Sequence, residues 1–234
     1  TYAEDQFYRD TQIALAGIGS HGTFAHLYIN GIYWGLYNPV ERPDEHFTSE
    51  YLGGESEDWF FLNHGGATDG DAARWAYLTG TLVHRDLSVP ANYSEFQQYL
   101  DIDRFIDYLI VSWYQAITDW PQNNWYFGNR NASSPLGSTP GQYLAWDGEW
   151  AWDTAFGYEP PYGPWVHPLF RKDAGSTFGI AGFWHALRVN SDFMTRFADR
   201  VQRALFNGGA LTDDNARSRW QALSNSIELA ILGE

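Results

Sequence analysis

The chain has 234 residues, 44% of them hydrophobic and 18% aromatic, enough apolar mass for a sizeable folded core. Its 29 acids against 14 bases give a net charge of -15, which argues against nucleic acid or an anionic membrane surface as a partner. A phosphorylated ligand is not excluded, because a metal ion reverses the local field, and the absence of Cys removes disulfides and thiolate metal sites.

The opening, "TYAEDQFYRDTQIALAG", already reads as a helix over 2–16, so the sequence is expected to be a piece of a longer protein. Gly17 and Gly19 end that helix. "GIGSHG", residues 17–22, matches G-x-G-x-x-G, but a helix precedes it and a strand follows, so it reads as a helix stop and turn and not as a dinucleotide fingerprint. "TFAHLYINGIYWGLYNPVE" places aromatic and β-branched runs around Asn30-Gly31, a hairpin with strands at 23–29 and 32–40. "ERPDEHFTSEYLG" predicts a short helix within 42–52, closed by Gly53-Gly54. "EDWFFLNH" predicts a buried strand over 58–63. A Gly/Asp-rich loop, 65–71, leads into the helix "DAARWAYLTGTLVH".

"NYSEFQQYL" and "DIDRFIDYLIVSWYQAI" are helical, and the second is apolar almost all round, so it belongs at the centre of its surroundings. The loop "ITDWPQNN" follows, then a strand "WYFGNR", a Ser/Pro/Gly loop at 131–141, and "QYLAWDGEWAWD" as a second strand and its exit. Residues 158–168 read as a Pro/Gly/aromatic loop. From about 183 onward the pattern is helical, with Thr212 as the N-cap of the last helix. No internal repeat is visible, and no apolar run reaches membrane-spanning length. The fold class is α+β, β-rich over residues 1–85 and mainly helical over 86–234, with a cleft expected between the two parts.

Asp119 and Asn124 have D-x-x-x-x-N spacing after a buried helix and before a strand, and the next strand ends in Asp147-Gly148. In phosphoryl transfer such an Asp orients the attacking hydroxyl, while an Asn and a later Asp hold Mg²⁺ against nucleotide phosphates. Asp147, Glu149 and Asp153 form an acidic cluster. A continuing strand would put Asp147 and Glu149 on one side, where a cation or a shared proton must relieve them. A glycosidase carboxylate pair is the other chemistry this cluster suits. Trp120, Trp125 and Trp146 read either as dry walls of a site or as ordinary core. The seven His form no metal-ligand spacing and read as structural or surface residues, and no zinc is expected.

"HLYINGIYWGLYNPVERPDEHF", "YLDIDRFIDYLIVSWYQAITDWPQNNWYF" and "YLAWDGEW" together resemble the CotH kinase family of spore-coat protein H-like atypical protein kinases. The three motifs occur in the family's order, and with the helical tail the resemblance spans nearly the whole chain. It implies a divergent two-lobed protein-kinase-like fold. The N-terminal lobe would be 1–85 (hairpin 23–40, helix 42–52, strand 58–63). The C-terminal lobe, 86–234, would carry a catalytic loop at 119–124 and a metal-binding strand end at 146–150. It further implies an extracellular or cell-surface kinase that uses ATP with Mg²⁺ or Mn²⁺ to phosphorylate Ser/Thr of an unidentified acceptor protein. Asp119 would be the catalytic-loop acid, Asn124 and Asp147 metal ligands, Glu149 a third, and Glu41 a positioning acid near the nucleotide. The family tends to place a Lys on the strand that here reads "DWFFLNH", and Lys172 is the only lysine in the chain. The phosphate-holding cation would then be Arg9, Arg42 or a residue upstream of this sequence. That departure keeps a second reading open, a weakly active or inactive pseudokinase-type binding module. The 12 Trp and the acids keep open a third, a carbohydrate-active domain.

Overall fold

A computed structural model describes residues 3–64, 66–117, 119–121, 123–152 and 179–232. Asp153, the loop 158–168 and Lys172 lie outside the described residues. Among the described residues the chain is a mixed α/β protein with eight α-helices and two small antiparallel sheets.

Helix α1 (Glu4–Ala16) buries Phe7, Tyr8 and Leu15 and stops where Gly17 turns left-handed, φ 73°, returning its N–H to the Ile13 carbonyl at 2.9 Å. Strands β1 (Ala25–Ile29) and β2 (Ile32–Tyr37) form a separate two-stranded hairpin. Asn30 (φ 52°) and Gly31 (φ 80°) both take the positive φ that a tight two-residue turn demands. The strands are shorter than the expected 23–29 and 32–40; outside them a single bridge joins Gly22 to Val40. Helix α2 (Glu45–Leu52) begins three residues later than the expected 42. Pro43 disfavours helical backbone at Arg42, and the Asp44 carboxylate caps the helix by accepting the Phe47 N–H at 3.0 Å.

Strand β3 (Trp59–Asn63) is the buried strand expected at 58–63, and it is followed by β4 (Gly66–Asp69). Residues 66–69 correct the expected loop at 65–71. They pair antiparallel with β3 through backbone bonds that need no apolar side chains, and every residue of β4 is exposed. Helices α3 (Ala73–Gly80), α4 (Pro90–Phe96) and α5 (Ile102–Tyr114) precede β5 (Trp125–Arg130) and β6 (Gln142–Ala145). Helices α6 (Gly179–Leu187), α7 (Ser191–Leu205) and α8 (Asp213–Ile231) complete the described chain. Thr212 sits at the N-cap of α8, but its hydroxyl donates to the Gly209 carbonyl at 2.9 Å and does not cap the helix.

The larger sheet has the order β4-β3-β5-β6, all antiparallel. Two of its strands come from before residue 85 and two from after it, so both parts of the chain share one sheet. Alternation along the strands divides the core. Phe60, Leu62, Trp125, Phe127, Tyr143 and Ala145 face the main cluster with α5, while Trp59, Phe61, Tyr126 and Leu144 face Ile18 and Phe47. Close packing across the sheet requires glycine opposite rings: a Cβ on Gly128 would fall 2.3 Å from the Phe61 ring, its register partner. Helix α5 is central, as its pattern predicts, with Phe105, Ile106, Leu109 and Ile110 buried.

One end of this sheet matters most. The C-terminal end of β3, the start of β5 and the C-terminal end of β6 lie side by side. Trp125 pairs with Ala145, and the His64 N–H bonds the Trp125 carbonyl at 3.0 Å. Asn124 and Asp147 sit just beyond these paired positions.

Candidate phosphoryl-transfer site

The segment leaving α5 is pinned by its own indoles. Trp120, 1% exposed, donates Nε1–H to the Tyr108 hydroxyl at 2.7 Å, and Trp125 donates to the Pro121 carbonyl at 2.9 Å. Both are core residues, as is Trp59, which is 1% exposed. Other Trp lie at the surface: Trp34, Trp150 and Trp152 are exposed. Trp146 is partly buried and meets Tyr126 edge-on at 5.3 Å.

Asp119 and Asn124 come together. The Asn124 amide, in a left-handed residue (φ 64°) that is 7% exposed, donates to Asp119 Oδ2. The other oxygen, Asp119 Oδ1, is buried and has no side-chain hydrogen-bond partner among the described residues. Burial raises the Asp119 carboxyl above its ordinary value, the Asn124 hydrogen bond and Asp119's own backbone N–H work against that rise, and the charge of Asp147 adds to it. The charge of Asp147 thus reaches Asp119 across the sheet end.

Asp147 is not a strand residue. Strand β6 stops at Ala145, and Asp147 is left-handed with φ 57°, so the expectation of a continuing strand with Asp147 and Glu149 on one side does not hold. Polar groups from α1 and α5 meet the turn here. The Gly148 N–H bonds Asp5 Oδ1 at 2.8 Å, and the Gln115 amide reaches the Gly148 carbonyl at 3.3 Å. Asp147 is an exposed residue, yet partial desolvation raises its carboxyl, and the charges of Glu149 and Asp5 push the same way, opposed by Arg9 and His64. Glu149 is exposed, two residues beyond.

The remaining candidates lie in other surroundings. Arg9 is fully buried; its Nη1 pairs with Asp5, and its Nη2 donates to Gln6 Oε1 at 2.8 Å and to Asn38 Oδ1. Glu41 accepts the His21 N–H at 2.9 Å and the Tyr51 hydroxyl at 2.8 Å, and faces the His21 ring at 2.8 Å. Burial works to raise the Glu41 carboxyl, but these bonds outweigh it and hold the group below the usual range. Arg42 is exposed.

Sequence reasoning missed Asp5, Gln115 and His64. The Asp5/Arg9 spacing of four on a helix was the one available signal for the first. His64 was set aside with the other His, although its charge reaches Asp147. Strand β3 itself carries no lysine.

The family model for CotH kinase protein matches residues 14–233, nearly the whole chain. The chain belongs to the CotH kinase family. No curated protein matches it. Membership in the CotH kinase family suggests atypical kinase activity, which uses a nucleotide and a divalent metal and acts on a protein acceptor. Among the described residues, no helix is long and apolar enough to cross a membrane.

Proposed function

We propose that this CotH-family chain is an ATP-dependent kinase that phosphorylates Ser or Thr of secreted or surface proteins, with its site at the shared end of β3, β5 and β6. The observation that carries this reading is Asp119: one oxygen is tied to Asn124, while the other is buried, without a side-chain partner among the described residues, and the carboxyl lies within the field of Asp147. A buried acceptor without a donor costs free energy in the resting protein, so its retention suits a site that a cation or a substrate hydroxyl completes.

The residues fit a divalent ion. Mg²⁺ takes oxygen donors and is held by one or two carboxylates, completing its shell with water and substrate phosphates. Asp147 and the amide of Asn124 supply that donor set beside Asp119, with Glu149 as a third, outer carboxylate. Among the described residues no group of three or more His, Cys, Asp or Glu is disposed to hold a metal without such help. When bound, the ion supplies positive charge against the β- and γ-phosphate oxygens.

The chain's own residues do the rest. Asp119 orients the acceptor hydroxyl and receives its proton, a task its raised carboxyl suits. The acceptor oxygen bonds the γ-phosphorus as the bond from that phosphorus to the β–γ bridging oxygen breaks, and ADP leaves. Asn124 keeps Asp119 in register. Glu41, held by His21 and Tyr51, is assigned the ordering of the nucleotide side. Arg9 is committed to Asp5, Gln6 and Asn38, so of the two arginines the exposed Arg42 is the one proposed to meet phosphate. A β-rich lobe over 1–85 and a helical lobe over 86–234, and a location outside the cell, belong to the same proposal.

Transfer of labelled γ-phosphate from ATP to a mixture of Ser- and Thr-containing peptides tests it. Asp119→Ala is expected to abolish transfer while leaving metal-dependent ATP binding in place. Transfer that survives in Asp119→Ala overturns the assignment.

A further inference from the structure

We propose that Asp5, on the first turn of α1, is a positioning residue that holds Asp147 in its working conformation through the Gly148 N–H. This rests on the reading of Asp147 as a metal ligand.

A left-handed backbone at a non-glycine residue is not self-supporting. At Asp147, φ 57°, the support comes from outside the turn. Asp5 Oδ1 accepts the Gly148 N–H at 2.8 Å across 143 positions of sequence. The Gln115 side-chain amide donates to the Glu4 carbonyl at 2.8 Å and to the Gly148 carbonyl at 3.3 Å, so it ties the same turn to the same end of α1. The Tyr8 ring closes the third side: a Cβ on Gly148 would lie 2.5 Å from Tyr8 Cδ1. Tyr8 is itself fixed, its hydroxyl 2.6 Å from Ser112 Oγ on α5.

Asp5 is held in turn. Its second oxygen pairs with Arg9, whose side chain is 1% exposed and whose Nη2 reaches Asn38, one residue past β2. A continuous polar path thus runs Asn38–Arg9–Asp5–Gly148, from the exit of the hairpin to the turn bearing Asp147. A carboxylate suits Asp5 because it accepts from a backbone N–H with one oxygen and from a guanidinium with the other. It also adds a like charge beside Asp147, a poor choice for stability alone and a sensible one where a cation is to bind. Groups that orient a ligand from behind typically change metal affinity or activity by about 10–100-fold when removed.

The test compares wild type, Asp5→Ala and Asp5→Asn by hydrogen exchange over residues 146–150 and by titration with ATP and Mn²⁺. Asp5→Ala is expected to expose the Gly148 N–H to fast exchange and to weaken Mn²⁺-dependent ATP binding by about 10–100-fold. Asp5→Asn keeps an acceptor for Gly148, so it is expected to fold, retain protection and lose less affinity. Arg196→Ala, which breaks a remote ion pair with Asp103, controls for lost stability and should move neither readout. Wild-type protection and affinity in Asp5→Ala overturn the proposal. So does an Asp5→Asn that keeps Gly148 protected yet binds as weakly as Asp5→Ala, since charge and not positioning would then be at work. If wild type binds no Mn²⁺-ATP, the kinase reading fails and the positioning role falls with it, while the exchange data still report whether Asp5 holds the turn.

Discussion

At the contact of α5 and α7, Asp107 is 2% exposed and receives Nε of Arg200 at 2.7 Å on one oxygen and Nη2 on the other. At the sheet end, Asp119 is also partly sunk, yet among the described residues a single side chain, the Asn124 amide, serves one oxygen and no other side chain reaches the second. Burial raises both carboxyls; Arg200 opposes the rise at Asp107, whereas at Asp119 the nearby charge of Asp147 adds to it. The same physical problem, an acid withdrawn from water, is solved internally in one place and left open in the other. Asp103, with Arg196 and Arg200 beside it, shows that α7 carries cations wherever α5 presents acids. The sheet end has acids converging from α1, the loop after α5 and the end of β6. Among the described residues its buried cation, Arg9, is spent on Asp5. Such a surplus is what a site awaiting a cation-bearing ligand requires.

The comparison can be broken first at its structural half. Arg200→Ala leaves Asp107 buried without its partner and is expected to cost about 3–5 kcal/mol in chemical denaturation. A cost typical of exposed ion pairs, below about 1 kcal/mol, would put Asp107 in the surface class. Gly148→Ala strikes the functional half. The added Cβ meets the Tyr8 ring, so a loss of about 1–3 kcal/mol is expected together with loss of metal-dependent ATP binding, read by thermal unfolding and calorimetry on the same sample. Shortening Tyr8 in the same chain should recover part of the stability.

Asp119→Asn sharpens the contrast with a smaller effect of opposite sign. The folded carboxyl titrates above its ordinary 3.8, so its charged form costs stability once pH exceeds that value, and metal-free stability falls as pH rises through the window up to the folded value. The amide removes that cost. The variant should unfold about 2 °C higher than wild type at neutral pH without metal, and its pH slope should be flatter. An unchanged slope would mean that Asp119 carries no such burden. Glu149→Gln is expected to do least: it is exposed and its charge only adds to that of Asp147, so Mn²⁺-ATP affinity should fall by no more than about threefold.

Much of this was legible before any coordinates. Asn30-Gly31 marked the hairpin because only a few residues accept positive φ at two successive positions. The apolar circumference of Ile102–Tyr114 marked the central helix. Asp119, Asn124 and Asp147 stood out by spacing and by the alternation of helix, loop and strand around them, and two of the three are now seen hydrogen-bonded. Strand β4 was hidden because Gly-Ala-Thr-Asp has no side-chain pattern to read, and its pairing is a matter of backbone alone. The end of β6 was misplaced because "QYLAWDGEWAWD" keeps an alternating rhythm past Ala145, whereas the pairing stops there, opposite the first residue of β5, and the turn beyond it is bonded to a distant helix. That bond joins Asp5 to Gly148, and no local pattern reports a contact between residues so far apart. Arg9 shows the same limit from the other side: a cation chosen for its charge turned out to be enclosed by Asp5, Gln6 and Asn38.

The most direct measurement is calorimetric titration of ATP into the chain with and without Mn²⁺, in wild type and Asp147→Ala. A cation site at the sheet end predicts binding that requires the metal and that Asp147→Ala loses. Equal binding by both proteins, or binding indifferent to the metal, would contradict it.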